Sequence, residues 1–184
     1  SSTHTVFKIL PLVQVNSDEN LINMQKIREI CSKGLNIFCP PEDRALSWLN
    51  LLCIYPSNPQ HFREICFRMM KSYRNFINHF TNNQTQDLKM SSINCLDEKD
   101  YKLLDSIRTD IKRSTSQLLY FINKEGNCCK TQDEKNDLQN HMNRIERILY
   151  VFAKVNPEFS YIQGFNELII PLYYVMHSAK NVFF

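Results

Sequence analysis

The chain has 184 residues, 43% of them hydrophobic, which suits one domain of ordinary size with a proper core. Its formal charge of +3 is mild and its Lys and Arg residues are scattered, so it carries no nucleic-acid footprint. Three glycines are very few and no long run alternates with a period of two, which argues against sheet and for an all-α fold. Seven cysteines is an odd number, without a C-x-x-C pair or a histidine at zinc-finger spacing, and Cys128 and Cys129 are adjacent. Free thiols in a reducing, cytoplasmic compartment are therefore expected, with no metal site. No apolar run approaches a membrane span, and the first residues lack a charged start followed by a hydrophobic core. A start at Ser1 and Ser2 without methionine is expected of a piece of a longer protein.

Residues up to about Val15 are apolar but irregular, with Pro11 interrupting, and read as an extended arm. Ser17, Asp18 and Glu19 look like a helix start, an oxygen cap followed by acids. Ile27, Ile30 and Cys31 continue one face, and Lys33 and Gly34 close the helix. Pro40, Pro41, Glu42 and Asp43 open the next, with proline where its missing N–H costs nothing. Ala45, Trp48, Leu49 and Leu52 form its buried side, and Tyr55-Pro56 ends it. Arg44 lies four residues before Trp48 on the same face; it either snorkels there as a surface arginine or sends its head to an acid.

Pro59 starts a third helix whose stripe is Phe62, Ile65, Cys66, Met69, Tyr73, Phe76, Ile77 and Phe80; core packing is expected of all of it. From Thr81 to about Asp97 the composition turns polar and reads as a surface insert. Asp97, Glu98 and Asp100 begin another helix, with Leu103, Leu104, Ile107 and Ile111 inward. Arg113 ends it, exposed, with Asp110 one turn back; Ser114, Thr115 and Ser116 read as a helix end or turn. Such a cation either does no more than complement a helix C-terminus or is presented outward for use. The patch 118–122 is of uncertain type, and residues from 124 to about 132 read as a loop.

A long amphipathic helix follows from about Asp133, with Leu138, Met142, Ile145, Leu149 and Phe152 on one face. Asn156 and Pro157 end it. A short polar connector holds Tyr161, Ile162, Gln163 and Gly164, before a second apolar helix using Phe165, Leu168, Ile169, Leu172 and Met176, with Pro171 inside it. Gln163 thus sits beside a glycine at the mouth of a helix, poised to act on something outside the fold. His4, His61, His79, His141 and His177 have no acid or nucleophile at motif spacing, and no phosphate loop or dinucleotide fingerprint is present. A complete active site for a small substrate is not expected.

Three patterns remain, in order: Arg44-x-x-x-Trp48, Ile107-x-x-Asp110-x-x-Arg113, and Tyr161-Ile162-Gln163-Gly164 preceded by ILYVFAKVNP. In these the chain, from about Gly34 to Met176, resembles the TBC domain of GTPase-activating proteins for Rab GTPases. It departs from the family pattern in the segment separating Gly34 from Pro40, in Ser114-Thr115-Ser116 after the arginine, and in Phe165 where methionine is common. The resemblance implies an irregular multi-helix array, with 1–33 an N-terminal arm and helix and 34–184 the N-terminal part of a TBC domain. The domain's C-terminal lobe would be absent, and dimerisation through the face so exposed is an expectation.

For function, the resemblance implies catalysis shared with a Rab-family GTPase in vesicle trafficking. Arg113 would be the arginine finger and Gln163 the glutamine finger that positions water. Asp110, Tyr161, Gly164, Arg44, Trp48 and Ile107 would support them, Tyr161 as a brace, Gly164 by allowing close approach, and Asp110 with Arg44 as an ion pair or shared network. The module would need no cofactor of its own, since the partner carries GTP and Mg²⁺. Recruitment to endomembranes would come through that partner rather than through lipid contacts of its own. The alternative is a helical module that binds a small GTPase or scaffold without stimulating hydrolysis.

Overall fold

The computed structural model describes residues 22–56, 58–80, 97–123 and 131–179. Among these residues the chain is all-α, without strands: α1 (Met24–Ser32), α2 (Pro41–Leu51), a 3-10 turn (Pro59–His61), α3 (Phe62–Phe80), α4 (Glu98–Arg113), α5 (Thr115–Asn123), α6 (Gln132–Val155) and α7 (Phe165–Ser178). The expectations for the arm before Val15, the insert at 81–96 and the loop at 124–130 lie outside the described residues, as do residues 17–19; the helix expected to run on from them through Ile27 instead begins at Met24.

The helix ends follow from local chemistry. Asn23 caps α1 by accepting from Lys26 N, and Gly34, at φ +82°, takes the left-handed turn that stops it. Pro41 opens α2. Asp97 accepts from Asp100 N at 2.7 Å to start α4. Thr131 and Glu134 form a reciprocal capping box on α6.

The chain divides into two compact units, one of residues up to Lys71 together with those from Val175 on, the other Ser72–Tyr174. In the first, Ile22, Ile27, Leu46, Leu49 and Tyr55 form the core, with Phe62, Ile65 and Cys66 packed against it. Two expectations for α2 need correcting. Leu46 is buried, whereas Leu52 is exposed and Trp48 only half-buried. The helix stops before Leu52, and Cys53 at φ +56° turns the chain so that Ile54 N and Tyr55 N both reach Leu49 O. Tyr55 rather than Leu52 then closes that core, its ring stacked 4.0 Å from Phe62.

Along α3, Ile77 alone of the expected stripe is buried, and Met69 and Phe76 are exposed among the described residues. The periodicity is right about the face and overstates its burial. Cys31, Cys39, Cys53 and Cys66 are free thiols.

In the second unit, Leu104, Ile107 and Ile111 of α4 meet Ile145, Leu149 and Tyr150 of α6, with Leu118 and Ile170 completing the core. Two ion pairs set the register of α4 on α6. Lys154 Nζ reaches both Asp100 oxygens at 2.7 and 3.0 Å, and Arg108 meets Glu146 through Nε at 3.1 Å and Nη2 at 3.0 Å. From Asp100 to Arg108 α4 advances eight residues while α6, from Lys154 to Glu146, retreats eight (108 − 100 and 154 − 146), so the helices run antiparallel in step. The chain after Arg113 is also corrected. Only Ser114 breaks the helix, and α5 resumes at Thr115. Of the expected face of α7, Phe165 and Ile169 pack against that core while Leu168 is exposed, and Ile170 and Val175 are buried.

The forked Arg108–Glu146 pair is the more directional of the two, and Glu146 is buried. Glu146→Ala should lower unfolding free energy by about 1–3 kcal/mol, since Arg108 is exposed enough to regain some hydration. Urea denaturation checks this, and an unchanged midpoint would show that the pair adds nothing.

Candidate functional site

The site is built at the junction of α4 with the connector before α7. Ile107, wholly buried, fixes the last two turns of α4 on the core. Three residues on, Asp110 is also buried, and three further on Arg113 ends the helix with its side chain 67% exposed. Arg113 Nη1 donates to Asp110 Oδ1 at 3.3 Å. So exposed a pair contributes about 0–1 kcal/mol to stability. Its effect is to hold the guanidinium at one place while its other N–H groups have no partner among the described residues.

The second oxygen of the same carboxylate takes the connector. Tyr161 donates its hydroxyl proton to Asp110 Oδ2 at 2.9 Å; Asn166 Oδ1 is farther from that hydroxyl, at 3.4 Å. Burial, and then the hydrogen bond to Asp110 and its negative charge, push the Tyr161 phenol above its ordinary pKa, so it stays a donor. One carboxylate therefore fastens both the arginine and the strand of chain that bears Gln163.

Gln163 is exposed, two residues beyond Tyr161. The connector's path is set by its backbone. Ser160 N returns to Asn156 O at 2.8 Å, with Ser160 itself at φ +52°. Gly164 sits at φ +99°, and its carbonyl accepts from Glu167 N at 3.0 Å as α7 begins. A Cβ on Gly164 would meet nothing within 4 Å, so within this chain glycine is required by the backbone angle rather than by crowding.

Sequence reasoning missed Asn166. It is buried in the first turn of α7, and its Nδ2 donates to Ser114 Oγ at 2.6 Å and to Asp110 O at 3.2 Å. It thereby ties the start of α7 to the end of α4 and gives buried Ser114 its partner. The available signal was an amide followed by apolar residues two to five positions on, where a core-facing polar group must be satisfied. Ile107, Asp110, Arg113, Tyr161 and Gly164 are thus gathered around one junction, with Gln163 on the same connector.

Arg44 and Trp48 belong to the other unit. Arg44 Nη2 donates to Asn36 O at 3.0 Å, bracing the turn before α2. Asp110, in the second unit, takes Arg113 and Tyr161 of its own unit as carboxylate partners. No group of His, Cys, Asp and Glu among the described residues is placed to hold a metal ion, and no described helix is long and apolar enough to cross a membrane.

Residues 42–184 match the family model of the Rab-GTPase-TBC domain. The chain is 24% identical over 156 residues to the GTPase-activating protein GYP1 of Saccharomyces cerevisiae, covering 85% of this chain and 20% of that protein. It is 23% identical over 180 residues to human TBC1 domain family member 5, covering 90% of this chain and 21% of the relative. A shorter stretch of 46 residues is 44% identical to human TBC1 domain family member 13, covering 25% of this chain and 12% of that one. The chain thus spans about a fifth or less of the length of these relatives. No solved structure matches it.

Gly164→Ala should cost about 1–2 kcal/mol, because the methyl group forces a left-handed angle on an L-residue; a melting curve no lower than that of the parent would refute the strain. The raised Tyr161 phenol carries a pH signature of definite sign. A group bound more tightly to its proton in the folded state stabilises fully below its ordinary pKa, about 10, and loses that contribution as pH rises past it. Unfolding free energy should fall more steeply above pH ~10 in the parent than in Tyr161→Phe. Equal slopes would remove the Tyr161–Asp110 bond from the account.

Proposed function

The chain belongs to the Rab-GTPase-TBC domain family, and on that premise we propose that it serves a GTPase-activating protein for a Rab-family small GTPase, supplying Arg113 and Gln163 in trans. The observation that carries this reading is the shared carboxylate. An arginine with free donors and the connector of an exposed glutamine are both fastened to Asp110, although fifty residues of chain separate them (163 − 113).

Phosphoryl transfer from GTP leaves little covalent work to protein groups. It needs charge on the transferring phosphoryl oxygens balanced and a water held in line. Arg113 fits the first task, being permanently charged, with a planar fork that meets two oxygens together. Gln163 fits the second, because a neutral amide accepts from water through its oxygen while its NH₂ donates to phosphate. The partner brings GTP and Mg²⁺; this chain brings the two polar groups and the scaffold that fixes where each leaves the backbone when the partner docks. Asp110, Tyr161 and Asn166 do not touch the nucleotide in this reading and act by position. Vesicle trafficking and endomembrane location follow from the partner.

The test is single-turnover GTP hydrolysis by a panel of Rab proteins with the full-length protein. Arg113→Ala should lower the stimulated rate by about 10³–10⁵, equivalent to roughly 4–7 kcal/mol of barrier. Gln163→Ala should lower it by about 10² or more. Both positions are exposed, so melting temperatures should stay near the parent value. If Arg113→Ala or Gln163→Ala leaves the stimulated rate intact, the two-finger assignment fails. Retained GTPase binding with no stimulation by the parent protein would identify a non-catalytic binding module instead.

A further inference from the structure

We propose that the outer face of α3 is a contact surface for the anionic face of a lipid bilayer. The helix has two sides of different character. Phe62, Ile65 and Cys66 point to the core of the first unit. On the side away from it Arg63, Phe67 and Met70 follow at steps of four and three, with Lys71 beside them, all in the first unit. Phe67 is 69% exposed and Met70 39%. Arg63 and Lys71 are exposed, and no hydrogen bond or ion pair engages their head groups among the described residues. Glu64, the one acid of the helix, lies on the side of Lys71, seven residues before it, and faces His61 at 3.8 Å.

Charge decides the occupant. Two cations with no acid partner among the described residues call for an anionic partner, and the apolar side chains between them call for one with an apolar layer in reach. A dry groove on another protein would strip water from Arg63 and Lys71 at the same depth as Phe67, which is costly without a matched acid at each. A bilayer surface separates the two needs. The cations stay hydrated among lipid phosphates, and Phe67 and Met70 dip to the boundary with the acyl chains. This surface adds direct lipid contact to recruitment by a GTPase partner and does not depend on the assignment of Arg113 and Gln163.

The experiment is cosedimentation of the full-length protein with phosphatidylcholine vesicles, with and without phosphatidylserine, at rising salt. Binding should require phosphatidylserine and weaken with salt. Arg63→Glu combined with Lys71→Glu should lower partitioning by at least about 20-fold, at about fivefold per cation. Phe67→Ser should lower it by about tenfold without abolishing the salt dependence. Circular dichroism verifies folding, and the milder pair Arg63→Gln with Lys71→Gln replaces the first should that pair unfold. GTP hydrolysis in the absence of vesicles should be untouched by these substitutions. The proposal is overturned by absence of vesicle binding, by equal binding without phosphatidylserine, or by binding that the folded variants retain. It is overturned equally if the parent ignores vesicles but binds an acidic amphipathic helical peptide through Arg63 and Lys71.

Discussion

A carboxylate removed from water must be hydrogen-bonded by its surroundings or be lost to the fold, and Asp110 meets that demand with two donors of different kinds. One oxygen holds the guanidinium of Arg113, three residues away on the same helix; the other holds the phenol of Tyr161, fifty-one residues on. Both donors face that charge, and each is localised by it. The rest of the second unit can be understood as what keeps this exchange in register.

That support comes in two layers. Beneath the site, α4 cannot slide along α6 without breaking the Asp100–Lys154 and Arg108–Glu146 pairs together, since both obey the same antiparallel offset. Above it, Asn166 spans from the first turn of α7 to Ser114 and the Asp110 carbonyl. Between these layers the connector contains two residues at positive φ, Ser160 and Gly164. Its shape is fixed by dihedral angles and short turns rather than by burial, and its glutamine is exposed to solvent.

Much of this is legible in the residue order. Proline at the start of α2, aspartate before α4, glycine after α1 and the Asn156-Pro157 break each have one dominant local explanation, and each marks a helix end where expected. The position of Arg113 at a helix terminus with Asp110 behind it follows from spacing alone. What spacing cannot supply is the depth of burial. Met69, Phe76, Phe152 and Leu168 obey apolar periodicity yet are exposed, because periodicity names a face and says nothing of what covers it. Nor can it separate a serine run that ends a helix from one that only interrupts it, a distinction made by the tertiary bond from Asn166 to Ser114. Asn166 leaves only a faint mark, an amide ahead of an apolar run, which does not say what it bonds. The resemblance to the TBC family supplies the pairing of Arg113 with Gln163, which no rule of periodicity connects.

The central claim is that Asp110 orders both polar arms together. Nitrogen-15 relaxation, read at the Arg113 side-chain Nε and at the backbone amides of 161–164 in the parent and in Asp110→Asn, tests it most directly. Order parameters should fall at both places in the variant, toward the range of flexible segments below about 0.6, while the amides of α4 and α6 stay near about 0.85. Loosening of Arg113 with the connector as rigid as before would contradict the claim, and the two arms would then have to be held by separate means.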